Sequence, residues 1–498
     1  MSIARVAGVD VDTRHWIGGQ RVASAATFED VCPIDAAVIA RIARGGREEA
    51  DRAVAAARAA FPAWAVTPPA DRARLLHAIA DGVDKRLDDL AIVETTDNGA
   101  LIRSHRRGVM PRVAHNFRFF ADYLTEQLGH PDFDTRGHRN HVSWDPAGPA
   151  VLISPWNAPL MLATWKVAPA LAAGDTVILK PSEWSPLTAS LLADIAAEAG
   201  LPPGVLNVVQ GFGAEAGAAL TAHPDVRRIS FTGSVPTART IAAAAAANLT
   251  PVSLELGGKS PFVVFADADL DLAVTNAVEQ YDNAGQVCLS GTRLLVEESI
   301  RDEFVARFLA RASALRQGDP REEDTDVGPS IHARQFERVD GFVQRAIGEG
   351  AEVLLGGGPN EDLGGLYYRP TLFTGVSPAS EISTEEVFGP VLVLHTFADE
   401  ATAVRMANDS EFGLAAMVFT ADPARAERVS AQLVAGTVWV NCFFVRDLRA
   451  PFGGARHSGV GREGGTWSFD FFSEVKNTVF APNGWTVSSD DVRAEVDV

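Results

Sequence analysis

From Gly148 onward, short unbroken apolar runs alternate with longer helical stretches, and this alternation constrains the fold more than any other feature of the sequence. The runs AVLIS, TVILK, VLNVV, RRISF and VSLEL are separated by segments of helical periodicity near 159–172, 186–199, 213–222 and 235–248. A strand that is apolar on both faces has to be covered on both, and helices crossing between parallel strands provide the cover. The segment predicts a doubly wound parallel sheet of α/β class. A second set follows: FVVF, a helix across 269–285, RLLVEES, a helix at 300–315, VLLGG, VLVLHTF, a helix at 400–408, AAMVFT and TVWVN. It predicts a second α/β unit.

Residues 16–42 read as a small antiparallel meander, and two Ala-rich helices are expected at 48–65 and 71–98. The six-alanine run 242–247 fits a helix with Ser234 as N-cap and Pro236 in its first turn. The stretch FDFFSEVKN (469–477) alternates like a strand, and an open edge there makes it a candidate subunit contact. A length of 498 residues implies about two to four domains, and 47% apolar content is ample for their cores. With 64 acidic against 44 basic side chains the net charge is −20, which argues against nucleic acid or an anionic membrane as partner.

The N-terminus lacks the apolar core of a secretion signal, and no window reaches the ~18–20 unbroken apolar residues of a membrane span. Only Cys32, Cys288 and Cys442 occur, without metal-type spacing. The expectation is a reducing, cytoplasmic setting with no disulfide framework and no metal site, in which one cysteine is free to act as a nucleophile.

Cys288 lies in NAGQVCLSGTR, an unusually polar and glycine-flanked setting for a structural thiol. Glu255, in LELGGKS, ends a predicted strand, where it is either a solvated glutamate or a general base at the carboxyl edge of a sheet. Asn157, in the strand-to-helix connection SPWNAP, offers an amide to an oxyanion unless the segment is a plain turn, and Trp156 gives it a rigid wall. GFGAEAG (211–217) has the wrong spacing for a dinucleotide loop. FTGS opens a helix whose free N–H groups favour a phosphate, while Lys180 and Glu183 of LKPSE suit ribose hydroxyls. An acid at that point repels a 2′-phosphate and favours NAD over NADP.

In combination, SPWNAP, KPSE, FTGS, LELGGKS, GQVCLSGTR, EEVFGPV and PFGGARHSGVGREGG make the chain resemble the aldehyde dehydrogenase superfamily along nearly its whole length. The resemblance implies a Rossmann-type NAD-binding domain (1–122 and 146–257), an α/β catalytic domain (258–456) and a small β oligomerisation arm (123–145 and 470–487). It implies that Cys288 attacks the aldehyde carbon, that Asn157 holds the oxyanion with the cysteine N–H, and that Glu255 activates the water that hydrolyses the thioester. Lys180 and Glu183 then hold the adenosine ribose, Trp156 and Ser234 lie at the pyrophosphate, and Glu386 with Phe388 positions the nicotinamide ribose. Lys166 is an accessory residue, either structural or proton-relaying. A homodimer or homotetramer is expected.

FFVRDLRAPFGG (443–454) places Arg446 and Arg449 before the motif that borders the family's substrate tunnel, and Arg112 lies on a helix matching its other wall. An arginine in an apolar tunnel is costly unless an anion pairs with it, and its planar fork suits a carboxylate. This arrangement looks like the branch that oxidises 2-hydroxymuconate semialdehyde or its 5-carboxymethyl homologue, with Arg446 and Arg112 as the clamp and Arg449 contacting substrate or supporting the loop. Surface arginines and an ion pair with Asp447 are the plainer reading. Cys442 is expected to form part of the tunnel wall.

Overall fold

The computed structural model describes residues 2–129 and 131–486. Five parallel strands build the first sheet in the order Val252–Glu255, Arg228–Thr232, Pro149–Ile153, Thr176–Lys180, Leu206–Val208. Nearly every strand residue is buried, as two covered faces require. The chain order reverses between Pro149–Ile153 and Arg228–Thr232, so a crevice opens beyond the carboxyl ends of those two strands. SPWNAP leaves one of them and FTGS leaves the other. Antiparallel strands extend this sheet at both edges: Gly459–Val460 beside Val252–Glu255, and the hairpin His15–Ile17 and Gln20–Val22 beside Leu206–Val208.

The second sheet runs Glu352–Leu355, Thr371–Thr374, Val391–Phe397, Arg293–Glu297, Pro261–Val264, Ala415–Phe419, Thr437–Val440, parallel except for its first strand. A third sheet of three strands pairs Asp132–Thr135 and Ser473–Phe480 with His138–Pro146. Met1, His130 and Val487, which belong to the segments assigned above, lie outside the described residues.

Several elements differ from the sequence reading. The meander is two separate hairpins, because Trp16 pairs with Val208 of the large sheet while Thr27–Val31 pairs only with Val38–Ala43. The single helix 71–98 is two, Pro69–Lys85 and Leu87–Asn98, since Arg86 leaves helical geometry (φ −110°, ψ 19°). The helix 269–285 ends at Val278, and tighter turns then carry the chain to Gly285 through left-handed Asn283 and Ala284. FDFF is helical within Gly465–Phe472, with Phe469 and Phe472 buried three apart, and the strand starts only at Ser473. Strand Thr371–Thr374 and helices Ala333–Gly348 and Pro423–Gln432 are additional. Among the described residues no helix is long and apolar enough to cross a membrane.

Candidate active site

Cys288 lies on a loop locked by side-chain amides. The Asn157 amide donates to the Gln286 carbonyl at 2.9 Å, Asn283 donates to the Asn157 carbonyl at 3.0 Å, and Gln286 donates to the Asn283 carbonyl at 3.0 Å. Asn157 therefore sits against the cysteine loop with its second N–H still available, the position an oxyanion donor needs. Gly285 is left-handed (φ +70°), and a Cβ there would lie 2.1 Å from the Gly389 carbonyl, so only glycine lets this loop reach the EEVFGP segment.

Glu255 ends its strand as predicted and is buried, with neither carboxylate oxygen hydrogen-bonded. Burial, reinforced by the nearby Glu463, raises its pKa well above the usual carboxylate range, with Lys166 and Arg446 opposing. Burial also pushes the Cys288 thiol up to about 12, with Glu386 and Glu255 adding to the effect and Arg446 countering it. Lys166 is buried and donates to Glu463 at 2.6 Å and to Ser230 at 2.8 Å. Glu463, not singled out in the sequence, sits in the GREGG motif, and a partner for a lysine on an apolar helix was the signal available for finding it.

The crevice at the strand reversal gathers the other candidates. Lys180 is buried and holds Glu183 at 3.0 Å. Ser234 caps helix Val235–Ala246 by accepting from the Thr237 N–H. Glu386 accepts from the Gly258 N–H at 3.0 Å, and its carboxylate fills the space a Cβ on Gly257 would need. Burial pushes its pKa up to about 7. Phe388, left-handed at φ +58°, stands edge-on to Trp156 with ring centres 5.2 Å apart. Trp184, on the KPSE loop, packs on His332 at 4.0 Å. His332 caps helix Ala333–Gly348, accepting from the Gln335 N–H at 3.0 Å.

A cavity of about 600 Å³ leads to Cys288 and is also lined by Asn157, Glu255, Arg112 and Arg446. The Arg446 guanidinium lies 3.7 Å from the Phe452 ring centre and 5.0 Å from that of Trp165. Arg112 stands 5.9 Å over the same tryptophan and donates to Asn116 at 3.2 Å. Neither arginine forms a salt bridge among the described residues, although Asp447 acts on Arg112, and Glu255 and Glu463 on Arg446, at longer range. Arg449, by contrast, is on the surface gripping Asp447 at 2.6 Å and does not line this cavity. Cys442 does not line it either. It packs against the core of the second sheet, while the next two residues, Phe443 and Phe444, turn towards the cavities.

The profile of the aldehyde dehydrogenase family matches residues 21–478. The chain belongs to the aldehyde dehydrogenase family. This aldehyde dehydrogenase is 46% identical over 479 residues to the 2-hydroxymuconic semialdehyde dehydrogenase of Pseudomonas sp. (strain CF600), covering 94% of this chain and 99% of that one. It is 45% identical over 464 residues to the 5-carboxymethyl-2-hydroxymuconate semialdehyde dehydrogenase of Escherichia coli, covering 91% and 98%. Among solved structures, an indole-3-acetaldehyde dehydrogenase in complex with NAD+ superposes with a TM-score of 0.93 at 38% identity, over 95% of this chain and 97% of that one. The Glu183 carboxylate beside Lys180 suits the hydroxyls of a ribose and would repel a 2′-phosphate, so the crevice fits NAD.

Proposed function

We propose that this aldehyde dehydrogenase oxidises a carboxylate-bearing semialdehyde, 2-hydroxymuconate semialdehyde or its 5-carboxymethyl homologue, to the carboxylic acid in meta-cleavage catabolism of aromatic compounds. The observation that carries this reading is the pair Arg112 and Arg446: two guanidinium groups face the cavity that ends at Cys288, and neither forms a salt bridge among the described residues. Cations drawn out of water need an anion, and a bidentate fork matches a carboxylate. The names of the two relatives support the same substrate class.

Trp156, Lys180, Glu183, Ser234, Glu386 and Phe388 would hold NAD, which supplies a hydride acceptor when bound. Arg112 and Arg446 hold the substrate carboxylate so that its carbonyl carbon meets the Cys288 sulfur. The thiol gives its proton to solvent as sulfur adds to the carbon, and the Asn157 amide with the Cys288 N–H holds the resulting oxyanion. Departure of hydride leaves a thioester on Cys288. Glu255 takes a proton from water, the hydroxide displaces the thiolate, and the acid leaves. The sequence divisions 1–122 with 146–257, 258–456, and 123–145 with 470–487 then serve as cofactor, catalytic and assembly units. We place the enzyme in the cytoplasm as a homodimer or homotetramer, consistent with its three free cysteines and the exposed edge strand Ser473–Phe480.

The test is NADH formation from the two carboxylated aldehydes and from benzaldehyde, with wild type and Arg446→Ala. The variant should lose roughly 10²-fold or more in kcat/KM for the carboxylated substrates and far less for benzaldehyde. Equal losses on all three would refute the clamp.

A further inference from the structure

The two arginines that face the substrate cavity are held by groups that carry no charge. Arg112 and Asn116 stand four apart on helix Met110–Asp122, so their side chains share one face. The Arg112 Nε–H donates to the Asn116 side-chain oxygen at 3.2 Å. The orientation of that amide is fixed by its other contacts. Asn116 is fully buried, and its amide nitrogen donates to the Met161 carbonyl and to the Thr164 hydroxyl, each at 3.2 Å. The Thr164 hydroxyl gives its own proton to the Leu160 and Met161 carbonyls, at 3.0 and 3.1 Å, so it accepts from Asn116. A flipped amide would set its oxygen against the Met161 carbonyl and its N–H against the Arg112 Nε–H.

The remaining supports are aromatic. The buried indole of Trp165, next in sequence to Thr164, takes Arg112 at 5.9 Å and Arg446 at 5.0 Å, and the Phe452 ring takes Arg446 at 3.7 Å. Among the described residues Arg112 makes no other hydrogen bond, which leaves its two terminal nitrogens free. A carboxylate in place of the amide would fix Arg112 equally well but would neutralise it. A neutral oxygen on Nε fixes the plane of the fork and keeps the two parallel N–H bonds, and the charge, for a ligand.

We propose that Asn116 is a positioning residue for substrate selection, whose side-chain oxygen aims the Arg112 guanidinium at the substrate carboxylate without neutralising it. The proposal rests on the arginine clamp of the preceding section and adds the group that sets the attitude and the charge of one of its arms.

The experiment compares kcat/KM for 2-hydroxymuconate semialdehyde and for benzaldehyde in wild type, Asn116→Asp and Asn116→Leu, with the ratio of the carboxylated to the neutral substrate as the readout. Both values come from one preparation, so a partly unfolded variant cannot move the ratio. Asn116→Asp keeps the shape and the acceptor but gives Arg112 an anion of its own, and should lower the ratio by about 10²-fold. Asn116→Leu keeps the volume and removes the acceptor, and should lower it by about tenfold, through KM. Asn116 also ties helix Met110–Asp122 to helix Pro159–Ala173. Were that its whole role, both substrates would suffer alike. A ratio unmoved in both variants, in a wild type that does prefer the carboxylated aldehyde, overturns the role of Asn116 alone. A wild type that prefers benzaldehyde refutes the clamp, and this proposal falls with it.

Discussion

Glu255 and Cys288 are both held in their neutral forms by burial, and each therefore gains its reactive form as pH rises. For Glu255 this makes general-base action on water weak at low pH, so turnover limited by thioester hydrolysis should increase from pH 6 to pH 9. Glu255→Gln should release one NADH per active site and stop, with the acyl group retained on Cys288 in the intact mass. Steady turnover in that variant would move the base elsewhere. Below about 12 the thiolate fraction of Cys288 grows about tenfold per pH unit, so its alkylation by iodoacetamide without NAD should climb at that rate between pH 7 and pH 9. Arg446→Gln should slow it further, since the guanidinium opposes the upward shift, whereas a plateau near pH 8 would contradict a thiol governed by burial. Cys288→Ser should abolish oxidation and Cys442→Ser should leave it intact. Much of this was legible: the polar neighbours of Cys288, and Glu255 at a strand end before a glycine pair, mark themselves by residue type and spacing. Arg446 and Arg449 do not, because they stand three apart in an irregular loop where no periodicity says which one turns inward. Only the fold shows that Asp447 captures Arg449 at the surface.

The strands declare themselves by composition, since runs such as AVLI and TVILK are apolar on both faces and fit no half-exposed element. The stretch FDFFS is ambiguous for the same physical reason that it is short: Phe469 and Phe472 satisfy a helical stripe while Phe469 and Phe471 satisfy alternation. Ser468, which accepts from the Gly464 N–H, helps to fix the helix. Helix Ala333–Gly348 shows only a stripe of Val339, Phe342, Val343 and Ala346 among charged residues, a pattern invisible to a search for continuous apolar runs. At the start of neighbouring strands Pro149–Ile153 and Thr176–Lys180, Asp175 is fully buried and accepts from the Gly148 N–H at 2.9 Å, while its other oxygen has no partner. Burial raises its pKa from 3.8 to about 8, so the folded state keeps a proton that the unfolded chain gives up. Its contribution to stability is complete below 3.8 and is lost as pH rises through about 8, at ~1.4 kcal/mol per pH unit in between. Melting temperature should therefore fall from pH 5 to pH 8, and Asp175→Asn should flatten that slope. An unchanged slope would mean that other buried acids dominate it.

At the scale of the whole molecule, the three larger sheets are joined by a few specific ties. Arg228, at the start of the strand that ends in Thr232, donates to the Ser473 carbonyl at 2.8 Å and anchors the third sheet to the first. Strand Ser473–Phe480 forms an edge of that sheet, with Val475 and Val479 each more than half exposed. Lysines at both positions blunt an edge against pairing. The wild type should sediment as a dimer or tetramer, and Val475→Lys with Val479→Lys should shift it towards the monomer. A monomeric wild type would remove the assembly role from this strand. This level was the least legible from sequence, because which hairpin joins which sheet depends on partners hundreds of residues away.

The ring pair Trp184 and His332 has one more consequence. Trp184 belongs to the loop after strand Thr176–Lys180 of the first sheet, and His332 opens a helix that precedes strand Glu352–Leu355 of the second. At 4.0 Å between ring centres, and with Trp184 41% exposed, this indole packs on an imidazole that the other half of the molecule supplies. Burial lowers the His332 pKa to about 4, so near neutral pH the contact is one between two uncharged rings. The pair thus bridges the two halves of the molecule beside the cofactor crevice, so a change in their spacing has to part these two rings.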